Sequence, residues 1–128
     1  MKIFIAGGTG FVGGHLTTEL LKRGYELILL SHAGSGSVQP GITLCQGDVT
    51  DPSSYQQAMK GCDAAINLVG IIREFPAKGI TFERLHVEAT ACMVQAAQHA
   101  GVLRYLQMSA LGTRLDAVSG YHRTKWRG

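Results

Sequence analysis

The stretch Lys2-Ile3-Phe4-Ile5-Ala6-Gly7-Gly8-Thr9-Gly10-Phe11-Val12-Gly13-Gly14 decides the fold. Its first five residues are a β-rich run that stops at glycine, the pattern of a short buried strand. Over 11–23 the apolar residues Phe11, Val12, Leu16, Leu20 and Leu21 recur at helical spacing, and Gly24 closes that helix. Between strand and helix lies G-x-x-G-x-x-G at Gly7, Gly10 and Gly13. An early glycine allows a tight turn, the middle one lets backbone approach a pyrophosphate, and the last lets helix and strand pack closely. The free N–H groups of Phe11, Val12 and Gly13 at the helix start, with the helix dipole, favour an anion. In this strand–turn–helix setting the run reads as a dinucleotide cradle rather than as a plain glycine turn.

Working outward, 26–30 is a nearly all-apolar second strand, as expected where both faces of a sheet are covered. Residues 33–41 (AGSGSVQPG) read as a loop, and 42–45 as a third strand. Asp51-Pro52 marks a helix start, with Asp51 capping, and that helix runs to about Lys60. A fourth strand is expected over 63–69, a long helix over 81–100, a fifth strand over 104–108, and a last helix over 119–127. Strand and helix alternate, which predicts an α/β fold: a doubly wound parallel sheet of about five strands with right-handed crossovers. Such a sheet binds ligands beyond the carboxyl ends of its strands.

At 128 residues the chain fits one domain, 1–128, with one core. Its 45% hydrophobic and 16% charged content argues against disorder. No apolar run is long enough to span a bilayer, and residues 2–6 are too few for an export-signal core, so the expected compartment is cytoplasmic. Cys45, Cys62 and Cys92 are odd in number and lack CxxC pairing, which predicts buried free thiols. A net charge of +3 from scattered basic residues gives no indication of a nucleic-acid partner. His122, Arg123, Lys125 and Arg127 crowd the tail, read as a solvated helix face rather than a phosphate patch. His15, His32, His86, His99 and His122 lack metal-ligand spacing, so no metal is expected.

An acidic residue about 20 positions after the glycine turn would bind a ribose 2′-hydroxyl and select NAD. Here the second strand ends in Leu30-Ser31-His32, with no carboxylate until Asp48. Ser31 and His32 would offer hydrogen bonds to a 2′-phosphate, so the expected cofactor is NADP, with NAD as the alternative. After the third strand, Asp48 could accept from an adenine amino group while Val49 packs on the ring. Asp48 serves equally well as a turn or capping residue.

Tyr121 and Lys125 stand at i and i+4 on one helix. A phenol ionises near pH 10, too high for proton exchange at neutrality, and a neighbouring ammonium favours the phenolate. Ser109 ends the fifth strand, where its hydroxyl could orient a substrate oxygen.

GGTGFVGG, GDVTDP, INLVG, MSAL and YHRTK occur in this order, and the chain resembles the short-chain dehydrogenase/reductase superfamily on its extended or atypical branch. INLVGIIRE, FERLHVEAT and MSALG are most similar to the NDP-sugar epimerase-like group related to the 39 kDa accessory subunit of respiratory complex I. The resemblance implies a Rossmann-like domain with strand order 3-2-1-4-5, a nicotinamide dinucleotide as cofactor, and a nucleotide sugar or other small molecule as substrate. It implies that Gly7, Gly10 and Gly13 hold the pyrophosphate, that Asp48 and Val49 meet adenine, and that Leu68, Val69 and Gly70 line the nicotinamide side. Ser109, Tyr121 and Lys125 match the family's catalytic residues, and Lys125 would also touch the nicotinamide ribose. His86 falls where family enzymes carry a catalytic asparagine, a departure expected to weaken the proton relay. Family members run well past the YxxxK helix, so the chain resembles the N-terminal part of a longer protein, incomplete at the C-terminus. The fifth strand would then be an exposed edge, and self-association through 104–108 is expected.

Overall fold

Apolar residues alternate between two destinations along each central strand, and this builds a sheet with a core on either face. The computed structural model describes all residues 1–128. The strands are β1 (Lys2–Ala6), β2 (Glu26–Ser31), β3 (Gly36–Gln39), β4 (Ile42–Gln46), β5 (Ala64–Asn67) and β6 (Arg104–Gln107). The helices are α1 (Phe11–Lys22), α2 (Gln56–Met59), α3 (Ala89–His99) and α4 (Gly120–Arg127). Ile3, Ile5, Leu27, Leu29, Ile42 and Ile66 face one way, against Leu16, Leu20 and Leu21 of α1. Phe4, Ala6, Ile28, Leu30 and Ala65 face the other way, against Met59 of α2 and Met93, Ala96 and Ala97 of α3.

The sheet order is β3-β4-β2-β1-β5-β6, parallel throughout except for β3. Numbered as the sequence numbers them, the five parallel strands follow the expected 3-2-1-4-5. The sixth strand corrects the expected loop over 33–41: Gly36–Gln39 turns back and pairs antiparallel with β4 at the sheet edge. The chain leaves β1 toward β2 and β4, then returns to the opposite side of β1 for β5 and β6. That reversal opens a crevice at the carboxyl ends of β1 and β5.

Two helices differ from their expected form. Asp51 does cap its helix start, accepting from Ser53 N, but the segment splits into a 3-10 turn (Pro52–Ser54) and the one-turn α2. Tyr55 sits at the break, where its buried ring stacks on Phe4 and its hydroxyl donates to Val49 O at 3.0 Å. The long helix expected from 81 begins as a π-helical turn (Glu83–Glu88) before α3. One extra residue per turn lets a helix aim a side chain that regular winding would place elsewhere. Of the three free thiols only Cys62 is buried; Cys45 and Cys92 are half-buried, because both lie at the margins of the core.

Candidate functional site

The glycine turn is set by close approach. Gly7 adopts φ +79°, and a Cβ there would lie 3.0 Å from the Leu68 carbonyl carbon. A Cβ on Gly13 would lie 2.3 Å from Gly7 O and 2.6 Å from Gly8 Cα, so only glycine lets α1 rest on the end of β1. Gly10 N donates to Gly7 O at 3.1 Å, which closes the turn. Gly10 is the α1 N-cap; no side chain caps this end and no acidic residue occupies its first turn. The first amides of α1, including those of Phe11 and Val12, thus face outward as an anion cradle.

Beside the turn, a crevice of about 160 Å³ is lined by Gly7, Thr9, Leu30, Ser31, His32, Gly47, Val49, Val69 and Leu85. Five of these were named from sequence. Thr9 and Gly47 lie inside the quoted motifs, and Leu30 ends the second strand. Leu85 lies inside FERLHVEAT and reaches the crevice from the π-helical turn. Ser31 Oγ donates to Ala33 O at 2.8 Å and accepts from Ala33 N at 3.2 Å, so its hydroxyl serves a local turn.

Asp48 Oδ1 accepts from Thr50 N at 2.8 Å and Thr50 Oγ1 at 2.7 Å, a turn arrangement. The Thr50 amide, helped by the Thr50 hydroxyl and the nearby charges of His32 and Arg84, holds this carboxyl below the usual carboxylate range. Asp48, the first carboxylate after His32 in the sequence, thus stands within electrostatic reach of it. Strand β2 pairs with β4, with Ser31 opposite Gln46, which brings the two together.

At the other side of β1, the fully buried Asn67 fixes the Leu68–Val69–Gly70 loop. Its Oδ1 accepts from Val69 N at 3.0 Å, and its Nδ2 donates to Gln107 Oε1 at 3.1 Å. Tyr105 Oη also donates to Gln107, and burial pushes that phenol up to about 12. Asn67 was visible in INLVG but was not singled out.

Helix α4 is capped by Ser119, which accepts from His122 N at 3.2 Å. Lys125 is buried rather than part of a solvated face, and its Nζ donates to Met108 O at 2.7 Å. Burial holds its ammonium below the usual lysine range. Ser109, next after Met108, is exposed. The Tyr121 ring meets Phe82 at 5.9 Å and His86 at 5.2 Å, both edge to face. A Cβ built on Gly70 would lie 3.5 Å from Lys125 Nζ and 3.8 Å from His86 Nε2. The structure thus gathers Gly70, His86, Tyr121 and Lys125 at one place, and Ser109 follows the Met108 whose carbonyl Lys125 reaches.

His86 is buried, accepts from Ile71 N at 3.2 Å through Nε2, and meets Thr124 Oγ1 at 2.9 Å through Nδ1. The ring spans from the loop after β5 to α4, with one backbone partner, Ile71 N, and one side-chain partner, Thr124 Oγ1. Burial first, then the Lys125 charge, lowers its basicity.

The sheet order, the glycine turn and the crevice define a dinucleotide-binding α/β domain. Residues 3–114 match the NAD dependent epimerase/dehydratase family, and the chain belongs to that family. It is 32% identical over 112 residues to a 3-beta-hydroxysteroid dehydrogenase of Mycolicibacterium neoaurum, covering 82% of this chain and 31% of the relative. It is 30% identical over 131 residues to the mitochondrial NADH dehydrogenase [ubiquinone] 1 alpha subcomplex subunit 9 of Arabidopsis thaliana, covering 94% and 32%. The solved structure of the Bordetella bronchiseptica enzyme WbmG in complex with NAD superposes with a TM-score of 0.81 at 18% identity, covering 99% of this chain and 47% of that one. The chain therefore spans about a third of the length of those two curated relatives. No helix is long and apolar enough to cross a membrane.

Proposed function

We propose that residues 1–128 form the nicotinamide-dinucleotide-binding unit of an oxidoreductase or NDP-sugar epimerase-like protein. The Gly7–Gly13 approach carries this reading, because it presents uncapped helix amides beside a crevice at the strand reversal. A crevice of about 160 Å³ is smaller than whole-ligand pockets and suits the adenosine end. On this reading the α1 amides hold the pyrophosphate, Val49 packs on adenine, and Asp48 uses its second carboxylate oxygen toward the adenine amino group. NADP is the preferred form: exposed His32 supports a 2′-phosphate, while Asp48 opposes it, so the preference over NAD is small.

A nicotinamide dinucleotide, when bound, supplies the hydride acceptor or donor. Ser109 orients the substrate oxygen, Tyr121 Oη gives or takes its proton, and Lys125 supplies positive charge from the buried side of α4. The substrate class is a nucleotide sugar or another small hydroxyl or carbonyl compound, and the compartment is the cytoplasm.

A second reading, a domain that holds the dinucleotide without turnover, is favoured by His86 at the asparagine position and by the likeness to the Arabidopsis subunit. Tyr121→Phe separates the two. Loss of turnover with dinucleotide binding retained, measured on a protein that spans the full length of its relatives, supports catalysis; a wild-type protein of that length that binds without turnover supports the second reading.

A further inference from the structure

His86 is buried, and both of its ring nitrogens are used. Ile71 N–H can only donate, so Nε2 is the bare nitrogen and Nδ1 carries the proton. Nδ1–H then donates to Thr124 Oγ1, whose own proton goes to Gly120 O at 2.8 Å or Tyr121 O at 3.0 Å. One face of the ring stacks on Phe82 at 5.3 Å, while Tyr121 meets it edge on. The backbone around it is pinned as well: Thr90 Oγ1 donates to His86 O at 2.7 Å, and Arg127 of α4 pairs with Glu83. A satisfied core histidine needs partners; those of this ring's nitrogens lie on the loop after β5 and on α4, the segments that carry Gly70, Tyr121 and Lys125.

We propose that His86 is a positioning residue, a neutral clamp that locks the Gly70–Ile71 backbone against α4 and fixes the Tyr121 ring. This rests on the dinucleotide reading and deepens it. The clamp builds the half of the site that receives the nicotinamide, while the glycine turn and the crevice build the adenosine half independently. A buried and fully satisfied polar network of this kind specifies one geometry rather than adding bulk stability.

The test is calorimetric titration with NADH against ADP-ribose, and with NADPH against 2′-phospho-ADP-ribose, the second of each pair lacking nicotinamide. His86→Phe keeps an aromatic ring for Phe82 and Tyr121 but removes both hydrogen bonds. It is expected to weaken dinucleotide binding roughly tenfold while leaving the nicotinamide-free analogue within about twofold. Equal losses for both ligands, or none for either, would overturn the clamp. Amide exchange of the ligand-free chain gives a separate readout. Ile71 exchange should rise roughly tenfold in His86→Phe, the loss of one hydrogen bond, and stay protected in His86→Gln, whose Oε1 reaches the Nε2 position. Unchanged Ile71 exchange in His86→Phe would also overturn it. Failure of the wild-type chain to bind any of the four ligands would overturn the dinucleotide reading, and Ile71 exchange alone would then decide the clamp.

Discussion

The carbonyl oxygen of Gly7 and the missing Cβ of Gly13 compete for one space: a methyl group at Gly13 would stand 2.3 Å from that oxygen. Gly14, one residue on, has nothing within 4 Å of where its Cβ would be. The pair gives opposite outcomes for the same substitution. Gly13→Ala should destabilise the chain by about 2 kcal/mol or more, as overpacking against backbone does. Gly14→Ala should stabilise it by roughly 0.5–1 kcal/mol, because alanine restricts the unfolded chain and favours helix. Urea midpoints measure both. A neutral Gly13→Ala would show that the helix is not held against the strand end as described.

Tyr121 packs on His86 through its ring, and the proposed acid–base role falls to its hydroxyl. Tyr121→Phe keeps the ring and should lower turnover by roughly 10²-fold or more, the usual worth of a general acid–base group. Dinucleotide affinity should stay within about twofold, since the phenol is not part of the phosphate cradle. Turnover assays on nucleotide sugars, paired with binding titrations, check it. An unchanged rate would remove Tyr121 from the mechanism.

Burial keeps His86 neutral, so the unfolded chain takes up a proton that the folded one refuses. Stability is therefore fully present above the ordinary value of 6.5 and declines as pH falls from there toward the lower folded value. The slope is at most about 1.4 kcal/mol per pH unit for one proton. Asp48 acts later: its contribution is present above 3.8 and is lost as pH falls through its lowered folded value. His86→Phe should flatten the first window and leave the second. Urea unfolding from pH 7 to pH 3 measures the curve, and an identical decline below pH 6.5 in the variant would rule out His86 as its source.

Strand β6 has a neighbour only on its β5 side, and Leu106 within it is 53% exposed. An unpaired edge is a template for another chain. The mass from light scattering should rise with concentration and fall back to the monomer in Leu106→Lys. A constant monomer mass at high concentration would contradict pairing through this edge.

The parallel core was legible because its signals are local. Leu27, Ile28, Leu29 and Leu30 are apolar on both faces, glycines mark the element ends, and Asp51-Pro52 announces a cap. What escaped is set by pairing across distance. Gly36–Gln39 has loop composition and becomes a strand only because it folds back on β4. Asp48 meets His32 only through sheet order, and His86 finds Ile71 and Thr124 at separations of 15 and 38 residues. The residues proposed for the site stand in local motifs; Asn67 and Thr124, which support them, act through partners the linear pattern does not show.

The most direct measurement is a calorimetric titration of the purified 128-residue chain with NADPH and with NADH, with Gly10→Asp as control. The expected result is saturable binding of one dinucleotide per chain, somewhat tighter for NADPH, and lost when a carboxylate is placed at the α1 N-terminus. Binding of neither dinucleotide, or binding that Gly10→Asp leaves intact, would contradict the assignment of the glycine turn as the phosphate cradle.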